Sequence, residues 1–96
     1  MTKTWKIGEY CRGGIITVEI TGKTIHIIGK EWDRSAGYKK SSNQKNAKEW
    51  TRLTVQSDDY GAYSKMNEFL NDLTTSYYAD QVMQYIKENC NLLMGH

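Results

Sequence analysis

Ninety-six residues with a formal charge of +2 and a pI near 8.5 bound a single small domain. That pI falls short of the strongly basic signature of a dedicated nucleic-acid domain. No apolar run approaches the ~18 residues of a membrane span, and no charged-then-apolar start marks a secretory leader. Cys11 and Cys90 lie far apart and form no CxxC. They read as two reduced thiols in a cytoplasmic protein with no membrane contact, because two cysteines make no disulfide framework.

The first thirty residues carry strand signals. Thr4–Tyr10 (TWKIGEY) alternates Trp5 and Ile7 with Lys6 and Gly8. Cys11-Arg12-Gly13-Gly14 is a turn signal, followed by the β-branched run Ile15–Ile20 (IITVEI). Thr21-Gly22-Lys23 then leads into Thr24–Ile28 (TIHII), so these two runs predict a hairpin. Period-two alternation puts Ile16, Val18 and Ile20 on one face. In the partner strand, Ile25 and Ile27 compete with His26 and Ile28 for that face, and register decides between them. A fourth strand is predicted over Glu49–Gln56 (EWTRLTVQ), with Leu53 and Val55 inward and Arg52 and Thr54 outward. Trp50 then shares the Arg52 face.

From Ser57 the period changes. Ser57, Asp58 and Asp59 offer a helix cap and first-turn negative charge. Tyr60, Tyr63, Met66, Phe69, Leu70 and Leu73 recur at helical spacing and predict a first helix of about fifteen residues, with Tyr60 and Tyr63 facing the core. Thr74-Thr75-Ser76 interrupts that face, and Ala79, Val82, Met83, Ile86 and Cys90 mark a second helix. Strands first and helices last predict an α+β fold, with an antiparallel sheet of about four strands packed against two C-terminal helices. The whole chain, 1–96, reads as one domain with a long polar loop at about 31–49.

Chemical motifs are scarce. TGKT (Thr21–Thr24) resembles a phosphate loop only in its last letters. Position 17 is threonine where glycine is required, and a strand follows where a helix should begin. Gly22 is better read as a turn residue. Cys11 and His26 flank one hairpin, but no third group orients them as a nucleophile pair. No Cys, His or carboxylate cluster has metal-ligand spacing. The expectation is therefore a protein without enzymatic activity, cofactor or metal.

The segment from Lys30 to Trp50 is framed by two Lys-Glu-Trp triplets and holds almost no core-forming residue. Connections this long in a small domain are usually functional or disordered. Trp32, Arg34, Tyr38, Lys39, Lys40, Lys45, Lys48, Trp50 and Arg52 are its candidate binding residues. Seven Tyr and three Trp against one Phe favour half-wet aromatic positions. Of the adjacent pair Tyr77 and Tyr78, one must be exposed.

Two binding readings follow, with a plain solvated connection as the bland alternative. Trp, Tyr and Arg set among Ser, Gly and Asn resemble a protein-contact surface. The same lysines and rings could instead track single-stranded nucleic acid, neutralising phosphates and stacking bases. Glu31, Asp33 and Glu49 oppose phosphate beside both tryptophans, which favours a larger protein as the partner. Small inhibitors encoded by phages and other mobile elements, anti-CRISPR proteins among them, have this size and lack catalytic motifs. No family motif places the chain among them. Residues 1–56 carry eleven Lys/Arg against five Asp/Glu, while residues 57–96 carry two against six, a charge dipole able to steer a partner. An unpaired edge strand would also suit a homodimer formed by sheet extension.

Overall fold

The computed structural model describes residues 1–9, 12–31 and 48–92. Four strands, β1 (Thr2–Glu9), β2 (Arg12–Thr21), β3 (Thr24–Glu31) and β4 (Lys48–Gln56), precede two helices, α1 (Ala62–Leu73) and α2 (Ser76–Asn89). The sheet is an antiparallel meander in which spatial order equals chain order, β1-β2-β3-β4. The α+β architecture matches the sequence reading.

Register settles which isoleucines face the helices. Val18 lies opposite Ile27, Ile20 opposite Ile25, and Ile25 and Ile27 opposite Val55 and Leu53. One face thus collects Ile7, Ile16, Val18, Ile20, Ile25, Ile27 and Val55 in a buried cluster. Helix α1 covers it with Ala62, Met66 and Leu70, spaced by four residues, and α2 with Ala79, Val82, Met83 and Ile86, spaced by three and four. Each fully buried isoleucine or valine here contributes roughly 1.5–3 kcal/mol. Cross-strand branched pairs also hold the register, since a slip of one residue would turn the whole set to solvent.

Among the described residues, no helix covers the other face. Its rows run Thr2, Glu19, His26 and Thr54, then Thr4, Thr17, Ile28 and Arg52. The hydroxyls of Thr4 and Thr17 lie 3.3 Å apart, and His26 Nδ1 lies 2.8 Å from Thr54 Oγ1. Ile15 and Ile28 are buried on this face, outside the helix-covered cluster. Lys6 and Lys30 flank Ile15, and Arg52 flanks Ile28, so long aliphatic stems stand beside both.

Several boundaries move. Arg12, Gly13 and Gly14 continue β2 rather than forming a turn, and β3 runs on to Glu31. Glu31, Lys48 and Glu49 are therefore strand residues, which shortens the expected loop at both ends. Ser57 is no helix cap. It is buried and donates its N–H to the Lys23 carbonyl at 2.7 Å, tying the end of β4 to the β2–β3 turn. Asp58 pairs with Lys23 at 3.1 Å and Asp59 with Lys65 at 3.5 Å. Helix α1 starts only after Gly61, with no side-chain cap. Tyr60 consequently sits before the helix and is exposed, against the expectation that it faces the core. Tyr77 is exposed and Tyr78 half-buried, as their adjacency required.

Gly22 adopts φ +57° in the two-residue link between Thr21 and Thr24, and no heavy atom would meet an added Cβ. The penalty for a side chain there is purely conformational. Gly22→Val is expected to lose about 1–2 kcal/mol in urea unfolding, with Gly22→Asn close to wild type.

Candidate functional site

Three of the nine predicted binding residues, Lys48, Trp50 and Arg52, lie on β4, an outer strand of the sheet. Trp32, Arg34, Tyr38, Lys39, Lys40 and Lys45 fall outside the described residues, as do Cys11 and His96.

Trp50 owes its position to an irregularity. Thr51 pairs with Gly29 and Glu49 with Lys30, so Trp50 is the extra residue of a bulge. A bulge bends the strand, raises its twist and re-aims the side chain. Trp50 is 53% exposed, rare for the largest apolar side chain in a domain short of core material. The sequence placed Trp50 on the Arg52 face by strict alternation, which the bulge interrupts at that residue, and carried no signal for the bulge.

Arg52 is held in place. Its Nε donates to Glu49 Oε2 at 3.1 Å and its Nη2 to Oε1 at 2.7 Å, a two-pronged pair across three residues of one strand. This hydrogen bond pulls the Glu49 carboxyl below the usual carboxylate range, helped by the charges of Arg52 and Lys30. Glu49, with a further contribution from Glu19, raises the Arg52 guanidinium. Because the folded value for Glu49 is depressed, any contribution of the pair to stability is present above the ordinary glutamate range. It is lost only as pH falls through the lowered value. Both groups are open to water, so the pair orders the two side chains more than it stabilises the fold.

His26 is bonded to Thr54, and among the described residues no three His, Cys, Asp or Glu side chains group as metal ligands. Cys90 is a free, half-buried thiol whose pKa is raised by burial, which keeps it protonated and a poor nucleophile at neutral pH. Among the described residues no helix is long and apolar enough to cross a membrane.

A groove away from β4 escaped the sequence reading. It is shallow, about 400 Å³, and runs between β1 and α2 at the opposite edge of the sheet, lined by Lys3, Trp5, Asp80, Gln84, Tyr85 and Glu88. Trp5 and Tyr85 meet edge to face with centroids 5.5 Å apart. The Lys3 ammonium lies 5.4 Å and 5.6 Å from the two ring centroids. The i, i+4 row of Asp80, Gln84 and Glu88 could have been noticed, but only the fold sets it beside Trp5.

Compared with known proteins, the chain matches no family model, no curated protein and no solved structure.

Proposed function

We propose that this protein is a small, non-catalytic protein-binding module, an inhibitor or adaptor of a larger protein, of the type that phages and mobile elements encode against host defences. The observation that carries this reading is an exposed tryptophan beside an internally paired arginine. Trp50 presents a large apolar ring on a rigid strand, while Glu49 occupies Arg52. The two-prong uses two of the five guanidinium N–H donors and sets a carboxylate beside the other three, which repels phosphate. Such an arrangement suits a charge-mixed protein surface, where both members find complementary partners at little ordering cost. Trp and Arg are also the residues most enriched at interface hot spots. Trp32, Arg34, Tyr38, Lys39, Lys40, Lys45 and Lys48 are proposed to extend the same surface.

The competing proposal, single-stranded nucleic-acid binding through residues 30–52, rests on the +6 balance of residues 1–56 and on Lys30 and Lys48 near Trp50.

Capture from a nuclease-treated host lysate, at low and high salt, separates the two. Retention of a stoichiometric protein at high salt is expected. Trp50→Ala should weaken that complex by about 2 kcal/mol, roughly thirtyfold. If nucleic acid alone is retained before nuclease treatment, and salt releases it, the phosphate reading replaces the protein one.

A further inference from the structure

We propose that the β1–α2 groove is a docking site for an extended, basic segment of a partner protein, which adds to the sheet as a fifth strand alongside β1. The inference shares with the functional reading only the premise of a protein ligand. Its site lies at the opposite edge of the sheet from Trp50.

The backbone of β1 is prepared for such an addition. Met1 and Ile20 exchange both main-chain hydrogen bonds, Met1 N to Ile20 O at 3.1 Å and Ile20 N to Met1 O at 2.8 Å. Antiparallel ladders alternate bonded and non-bonded pairs, so Lys3, Trp5 and Ile7 bond inward to β2. Thr2, Thr4, Lys6 and Gly8 then turn their N–H and C=O groups outward, and among the described residues no strand lies beyond them. The close approach of the Thr4 and Thr17 hydroxyls fits a non-bonded pair, where side chains come nearest.

Side-chain geometry identifies the occupant. Residues of an added strand opposite Lys3 and Trp5 would project on the helix side of the sheet, into the groove. Their floor is the Trp5–Tyr85 pair and their outer wall is the row Asp80, Gln84, Glu88 on α2. Glu88 accepts a hydrogen bond from Gln84 at 3.2 Å, and neither it nor Asp80 is ion-paired among the described residues. Lys3 is turned over the two rings. Two carboxylates against one ammonium leave the groove net negative and favour a Lys or Arg on the incoming strand, next but one to an apolar residue that meets the rings. A second copy of this chain fits less well. Pairing β1 with itself would bring the Asp80 and Glu88 carboxylates of two α2 helices to one seam, with only two Lys3 side chains to offset them.

The test is selection from a phage-displayed random peptide library matched to the eight residues of β1, followed by titration with capped synthetic peptides. Enrichment of a Lys or Arg two positions from an apolar residue is expected, with binding seen in the amide spectra of Thr4 and Lys6. Reversing the wall with Asp80→Lys and Glu88→Lys should cost about tenfold or more for the basic peptide and favour its Glu-bearing counterpart. Lys6→Pro removes an outward N–H without touching the ladder to β2, and should also weaken binding about tenfold. Should that variant fold poorly, N-methylation of alternate peptide amides replaces it: one set must abolish binding and the other leave it intact. Trp50→Ala should not alter this binding. Absence of enrichment, equal tolerance of both N-methylated sets, chemical shifts confined to β4, or a dimer of the free protein joined through β1 would each overturn the proposal.

Discussion

Ile27→Ala is expected to cost about 2–5 kcal/mol in urea unfolding and to lower the melting temperature by at least about 8 °C. Ile27 has no solvent exposure and sits mid-strand in β3, between Val18 of β2 and Leu53 of β4. It belongs to the cluster that both helices cover, so the space it vacates has neighbours on every side and little freedom to collapse. A domain of this size holds about twice that free energy in total, so the variant should lie near its folding threshold. A loss under about 1 kcal/mol would mean that the sheet centre is not the keystone of the fold.

Gly29→Val should destabilise by about 1–3 kcal/mol, even though valine is the better strand former. Gly29 is buried on the helix face between Ile16 and Thr51, at the point where α1 ends above the sheet. A Cβ there would stand 2.9 Å from Thr51 Cγ2 and 3.1 Å and 3.3 Å from the Leu73 methyls. Strand propensity spans only about 1 kcal/mol, so the overlap decides the sign. Because the Leu73 methyls form most of that contact, Gly29→Val combined with Leu73→Ala should lose at least about 0.5 kcal/mol less than the sum of the single variants. Strict additivity in the double-mutant cycle would remove the helix from the explanation.

The elements were legible because their periods are unambiguous. Alternation in Ile15–Ile20 and three-four spacing from Met66 to Ile86 needed no tertiary information. What escaped was set by tertiary contacts. Ser57 resembles a cap, yet a carbonyl from the preceding turn claims its N–H, so the helix waits until Ala62 and Tyr60 is left outside. Ile28 looked like a competitor for the core, and register turned it to a buried position on the opposite face. At the candidate site, Trp50 and Arg52 were visible as residue types. The bulge that displaces one and the carboxylate that holds the other depend on pairing with β3 and on side-chain geometry. The β1–α2 groove joins residues some eighty positions apart, and no local pattern could reveal it.

Chain order equalling spatial order bears on how the protein is made. A ribosome delivers β1, β2 and β3 in the order in which they pair, so each hairpin can close as soon as it emerges. The helices come last. Until α1 and α2 are synthesised, Ile16, Val18, Ile20, Ile25 and Ile27 form an uncovered apolar sheet face. A chain released by a premature stop codon just after Gln56 would therefore carry the whole sheet with its apolar face bare, the species a cell's chaperones must shield.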